Sequence, residues 1–247
     1  MIVADISSKH HDKGEVEIMV NVYLVRHGKT MFNTIGRAQG WSDTPLTRDG
    51  ERGVTELGLG FAAKDIKFDL AFSSDSGRTI QTIGFILKYS ENEGIPYEMD
   101  KRIREWCFGS LDGGFDGELF DGVLPRTDAY KDKSEASLTY EDMANGILEV
   151  DTAGWAEPWH VLSKRILDGF FEAAQKAEVQ GAQNIVIVSH GLTIATFIKL
   201  IDSRQPRFQG LDNGSVTHLT YSDGNFTIGK IGDMSYRTLG QEILDAQ

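Results

Sequence analysis

Three short apolar runs, separated by helix-length amphipathic stretches, constrain this chain more than any other feature. Residues 18–25 (IMVNVYLV), 69–73 (DLAFS) and 184–189 (NIVIVS) each have the length and composition of a strand. After Thr47, Val54, Leu57, Phe61 and Ala62 recur at helical spacing, and Ile80, Ile83 and Leu87 mark the inward side of a second helix. Pro158 suits the first turn of a third helix that carries Leu162, Ile166 and Phe170 inward, and residues 192–201 form a fourth. The tail, residues 215–231, reads as a hairpin turning at Asp223-Gly224. Strands alternating with helices predict an α/β fold: three layers, α/β/α, around a mostly parallel central sheet.

Two segments stand outside the alternation. Residues 1–16 are polar and read as an N-terminal extension to a single domain over 17–247. Residues 112–158 form an insert with twelve acids against three bases, which carries most of the chain's net charge of −12. That is too long for a plain connection and predicts an acidic cap.

Charge and composition exclude several function classes. A net −12 opposes binding to nucleic acid, where Lys and Arg neutralise phosphates, and equally to an anionic membrane surface. A single cysteine, Cys107, leaves no internal disulfide, CxxC pair or cysteine-built zinc site. No apolar run reaches the ~20 residues of a membrane span, and the first residues lack the pattern of a secretory signal. The expectation is a soluble, cytoplasmic enzyme.

The polar residues at the strand ends carry the chemistry. The first run stops at Arg26-His27-Gly28, and NIVIVS stops at His190-Gly191. One strand-end histidine is unremarkable, but two His-Gly elements at the carboxyl ends of parallel strands point to a site. Arg78 follows the second run and stands at the start of a helix, where a cation is unfavourable without an anion nearby. Arg26, Arg78 and the two histidines together make a cationic pocket in an acidic protein. A phosphoryl group suits it, because arginine presents planar paired donors to its oxygens.

Other sites fit less well. Gly28-Lys29-Thr30 imitates the end of a P-loop, but Tyr23 occupies the position of its first glycine. No serine lies in a G-x-S-x-G elbow. A zinc ion between His27 and His190 would lack a third ligand and be repelled by both arginines.

Five ordered blocks resemble the histidine phosphatase superfamily, in the R-H-G branch that includes the phosphoglycerate mutases. They are Val25-Arg26-His27-Gly28-Lys29-Thr30 with Asn33, Arg37-Ala38-Gln39-Gly40-Trp41 and Asp43-Thr44-Pro45-Leu46-Thr47; Ser73-Ser74-Asp75 with Arg78; Ile103-Arg104-Glu105 with Phe108-Gly109; Val188-Ser189-His190-Gly191; and Asn213-Gly214-Ser215. The resemblance implies that His27 is the nucleophile and forms a phosphohistidine, while Arg26, Arg78 and His190 hold the phosphoryl oxygens. Glu105 would protonate the leaving oxygen and then take a proton from water. Asn33, Gln39, Gly40, Gly191 and Asn213 match positions that line the phosphate pocket. No metal or other cofactor is implied.

Departures from the mutase pattern bear on the substrate. Lys29 replaces a common acidic residue and adds positive charge near the pocket mouth, and Phe108 replaces a tyrosine. The lysine and paired arginines that follow the glutamate block in mutases have only Arg126, Lys131 and Lys133 as counterparts, within the acidic insert. The expected activity is therefore metal-independent hydrolysis of a small phosphate monoester. A phosphoglycerate mutase is the alternative, and a non-catalytic phosphate-binding module is a third.

Overall fold

The computed structural model describes residues 19–207 and 210–246, so the polar segment 1–16 and the first residue of the first predicted strand lie outside it. Six strands form one sheet: β1 (Val20–Arg26), β2 (Leu70–Ser73), β3 (Tyr97–Met99), β4 (Asn184–Ser189), β5 (Val216–Ser222) and β6 (Asn225–Ile228). Their order is β3-β2-β4-β1-β5-β6. β4 lies between β1 and β2, parallel to both, and β3 is parallel to β2. β5 alone runs the other way, antiparallel to β1 and β6.

The three central strands are apolar on successive residues because the sheet is covered on both faces. Val22, Leu24, Ile185 and Ile187 point into one core, with Ile166 and Phe170 of α5 (Trp159–Val179) and Phe197 of α6 (Gly191–Ile201). Tyr23, Val25, Val186 and Val188 point into the other, with Leu57 and Phe61 of α2 (Arg48–Ala63) and Ile83 and Ile86 of α3 (Gly77–Tyr89). The expected three-layer α/β/α fold is the observed one.

Details depart from the sequence expectation. On α3, Ile86 is buried and Ile80 exposed, because the inward stripe runs through Arg78, Thr79, Thr82, Ile83 and Ile86. The short helix α1 (Met31–Ile35), the edge strand β3 and the C-terminal helix α7 (Ser235–Asp245) were not foreseen. α7 lies against α2 at a spacing only glycine permits: a Cβ on Gly60 would meet Tyr236 O at 1.8 Å, and one on Gly240 would meet Glu56 O at 1.7 Å. The predicted hairpin turns at Asp223 and Gly224, both at positive φ (47° and 73°).

Residues 112–158 contain a π-helical turn (Glu118–Val123), short 3₁₀ turns and α4 (Tyr140–Val150), whose start is closed by a capping box from Thr139. Leu119, Leu124, Tyr140, Ala144 and Ile147 join Trp106 and Leu162 in the first core. The front of the segment pairs with the chain after α1: Ala38 N–H donates to Gly114 O, Gly113 N–H to Ala38 O and Asp116 N–H to Gly36 O, each at 2.9 Å. Among the described residues, no helix is long and apolar enough to cross a membrane.

Candidate active site

Parallel pairing sets the height of the site. Arg26 stands opposite Ser189, and Ser73 opposite Val188, so the residues that follow, His27, His190 and Ser74, emerge together at the carboxyl edge. Backbone bonds continue the pairing past the strands: His27 N–H donates to Ser189 O at 3.0 Å and Ser74 N–H to Val188 O at 3.1 Å. The two imidazoles lie 5.3 Å apart between centroids, with ring planes 64° apart.

Each histidine has an assignable tautomer. Nδ1 of His27 lies 2.8 Å from Gly28 O, which can only accept, so Nδ1 carries the proton. Its Nε2 keeps a lone pair and has no hydrogen-bond partner among the described residues. Nδ1 of His190 lies 2.9 Å from Nη2 of Arg78, which can only donate, so Nδ1 accepts and Nε2–H donates to Ser74 Oγ at 2.7 Å. Burial, then the charges of Arg78 and Arg26, holds His27 well below the usual histidine range. Burial, then the charge of Arg78, does the same for His190.

Arg78 is completely buried and is oriented from several sides. Nη1 donates to Ser42 O at 2.9 Å and Asp43 Oδ1 at 2.8 Å, and Nη2 donates to Gly40 O at 2.7 Å. Arg26 donates through Nη1 to Leu211 O. The Nε of each arginine is buried without a partner among the described residues. A buried donor left unpaired is costly, and two beside the His27–His190 pair leave room for an anion's oxygens.

Glu105 is buried at the start of α6, with 6% of its surface exposed. Its Oε1 accepts from the N–H groups of Trp106 (3.0 Å) and Thr193 (2.9 Å) and from Thr193 Oγ1 (2.9 Å), whereas among the described residues Oε2 accepts only from Leu192 N–H, at 3.1 Å. Oε2 is therefore the freer oxygen. Arg165 on α5 fixes this stretch of backbone, donating to the carbonyls of Arg102, Arg104 and Glu105 at 2.9 Å while paired with Glu157.

The five flanking residues named from the sequence reach the same edge, but several have their polar groups already engaged. Asn213 Nδ2 donates to His27 O at 2.9 Å and to Asn33 Oδ1 at 3.2 Å, bracing the His27 loop. Gln39 is tied at both ends, accepting from Thr30 Oγ1 at 2.6 Å and donating to Thr44 Oγ1 at 2.9 Å. Gly40 gives its N–H to Asp112 Oδ1 at 3.1 Å and its carbonyl to Arg78, and a Cβ there would meet Trp106 O at 2.2 Å. Gly191 begins α6 against the Arg26 guanidinium. Lys29, expected at the pocket mouth, is exposed and lines a cavity of 560 Å³ with Gly28, Arg52, Asp212, Asn213 and Arg237.

Several supporting residues had been given no role from the sequence. Asp43 pairs with Arg78, Ser74 Oγ accepts the hydrogen bond from His190 Nε2–H, and Asp112 accepts from the N–H groups of Gly40 (3.1 Å), Trp41 (2.9 Å) and Ser42 (3.1 Å). Asp43, Ser74 and Asp112 lay within or beside the sequence blocks, which was the available signal; Arg165 carried none. Among the described residues, no group of three or more His, Cys, Asp or Glu is placed to hold a metal ion.

The chain is similar to known phosphoglycerate mutases and to a phosphatase. The curated "2,3-bisphosphoglycerate-dependent phosphoglycerate mutase" of Streptococcus mutans is 29% identical over 197 residues, covering 74% of this chain and 84% of its own. The "Broad-specificity phosphatase YOR283W" of Saccharomyces cerevisiae is 25% identical over 231 residues, covering 92% and 91%. The crystal structure of phosphoglycerate mutase from Bacillus anthracis superposes with a TM-score of 0.84 at 37% identity, over 91% of this chain and 98% of that one. The model of the histidine phosphatase superfamily (branch 1) matches residues 22–234, which contain both histidines, both arginines and Glu105, and the chain belongs to that family.

Proposed function

We propose that the protein is a cytoplasmic phosphatase that hydrolyses a small phosphate monoester through a phosphohistidine on His27, without a metal. The observation that carries this reading is the His27 tautomer: Nδ1–H is committed to Gly28 O, and Nε2 presents a lone pair beside two buried, unpaired arginine donors. Members of this superfamily include a broad-specificity phosphatase and phosphoglycerate mutases, so phosphoryl transfer is the shared chemistry.

In the first step Nε2 attacks phosphorus, the P–O ester bond breaks, and the leaving oxygen takes a proton from Glu105 Oε2. The ring then bears positive charge, which the Gly28 carbonyl stabilises through Nδ1–H. Arg26 and Arg78 offer their Nε–H groups to the phosphoryl oxygens as charge develops. His190 holds Arg78 in place, and can reach a phosphoryl oxygen only by giving up one of its two present partners. In the second step water attacks phosphorus, Glu105 takes its proton, the P–N bond breaks and its electron pair returns to Nε2. Phosphate leaves.

Phosphoglycerate mutase remains the second reading, supported by the 37% identity with the Bacillus anthracis protein. A mutase must retain a doubly phosphorylated intermediate and exclude water. Here the insert supplies twelve acids against three bases, a charge balance that disfavours a second anionic group. The test is a panel of esters, including 3-phosphoglycerate and sugar phosphates, assayed with a chelator present. Phosphate release that exceeds isomerisation supports the phosphatase; efficient interconversion of 3- and 2-phosphoglycerate with negligible phosphate release establishes the mutase.

A further inference from the structure

The peptide that joins His27 to Gly28 is held at both ends by side chains. Asn213 Nδ2 donates to its carbonyl at 2.9 Å, and its N–H donates to Thr82 Oγ1 at 2.9 Å. Thr82 is fully buried on α3, one turn after Arg78, and the steps at phosphorus do not use it. Its hydroxyl proton is committed to Arg78 O, at 2.7 Å. The oxygen therefore meets Gly28 N–H with a lone pair, and the direction of both bonds is fixed.

A helical threonine commonly returns its hydroxyl to the carbonyl four residues back. Here the same oxygen also bridges to another segment. The series Gly28 N–H, Thr82 Oγ1–H, Arg78 O ties the backbone of the His27 loop to the residue whose guanidinium faces the phosphoryl group. Gly28 has little freedom to shift, since it is buried and packed on α2: a Cβ there would meet Val54 Cγ1 at 2.8 Å and Gly50 O at 3.2 Å. Without the hydroxyl, Gly28 N–H would be a buried donor with no acceptor among the described residues, a cost that turning the peptide would relieve. That turn carries the imidazole with it, because the Gly28 carbonyl holds His27 Nδ1–H. Misplacing a reacting atom by about 1 Å costs on the order of 10²-fold in rate.

We propose that Thr82 is a positioning residue for phosphoryl transfer: through Gly28 it sets His27 Nε2 in register with the Arg78 guanidinium, without touching the substrate. This assignment rests on the reading of His27 as the nucleophile.

Three variants test it. Thr82→Val replaces the hydroxyl by a methyl at nearly the same shape, Thr82→Ala removes both groups, and Thr82→Ser keeps the hydroxyl alone. Rapid quench with ³²P-labelled p-nitrophenyl phosphate in a single turnover reads the rate at which His27 gains label, and inhibition by inorganic phosphate reads binding. Labelling should slow by about tenfold to a hundredfold in Thr82→Val and Thr82→Ala, and Thr82→Ser should restore it to within about threefold of wild type. The inhibition constant for phosphate should stay within about threefold, because the Arg78 guanidinium keeps its bonds to Ser42, Asp43, Gly40 and His190. Should Thr82→Val not fold, the contrast between Thr82→Ala and Thr82→Ser decides the matter. Wild-type labelling rates in Thr82→Ala, or a Thr82→Ser enzyme as slow as Thr82→Ala, would overturn the assignment while leaving His27 as the nucleophile. So would phosphate binding that weakens as much as labelling slows. A wild type that gains no label on His27 would overturn the nucleophile and this assignment together.

Discussion

Nη2 of Arg78 donates to Nδ1 of His190 across 2.9 Å, and this contact requires an unprotonated acceptor on the ring. Protonation of His190 would set two cations against each other in a fully buried place. His27 is under the same constraint, since burial and the Arg78 and Arg26 charges hold it well below the usual histidine range. Both histidines are thus neutral in the folded protein near neutral pH.

A pH dependence of stability follows. Each histidine has a folded-state pKa below its unfolded value, so the unfolded chain binds more protons once the pH falls below ~6.5. Stability should be fully present above that value. It should fall with decreasing pH down to the folded-state pKa values, by up to about 1.4 kcal/mol per pH unit for each ring. Urea denaturation between pH 7 and 5 measures this slope, and His190→Gln should reduce it by one proton's worth. A slope unchanged by that substitution would show that His190 is not held neutral.

Glu105→Gln keeps the shape and removes the titratable group. Hydrolysis of ordinary alkyl esters should fall by ~10²–10⁴, and an ester with a strongly acidic leaving group should lose far less. Steady-state rates on such a pair measure the difference. Equal losses on both would remove Glu105 from the acid role.

Asp43→Ala leaves Arg78 with the Ser42 and Gly40 carbonyls and His190 Nδ1 but without its ion pair. The guanidinium should lose its fixed orientation, so turnover should fall by about tenfold and stability by about 1–2 kcal/mol, discounted for the partial exposure of Asp43. Kinetics and a denaturation midpoint would show both effects; full activity would mean that Arg78 is positioned without Asp43.

Gly240→Ala tests the helix contact on which the C-terminus depends. The added Cβ would overlap Glu56 O at 1.7 Å, forcing α7 away from α2. Overpacking of this kind costs about 1–3 kcal/mol and should lower Tm by several degrees. An unchanged Tm in a thermal scan would show that the two helices separate freely.

The parts of this molecule legible in its sequence are those set by local chemistry. β1, β2 and β4 could be read because burial on both faces leaves nearly unbroken apolar runs, and the functional edge could be read because His27 and His190 end two of them. β3 could not: its Tyr97-Glu98-Met99 is an exposed edge with no apolar pattern. α7 could not either, because its docking depends on the absence of side chains at Gly60 and Gly240. The resemblance selected Glu105 from among 37 acids, but the four donors around it come from residues 106 and 192–193, which only the fold assembles. Asp43, Asp112 and Arg165 were hidden for the same reason, since a polar residue's partner is decided by tertiary placement.

The central claim is that Nε2 of His27 takes the phosphoryl group, and trapping that bond tests it most directly. Rapid quench of the enzyme with a ³²P-labelled ester should leave label on the peptide containing His27, stable to alkali and labile to acid, and His27→Ala should remain folded but acquire none. Label on another residue, or normal turnover by His27→Ala, would contradict the account.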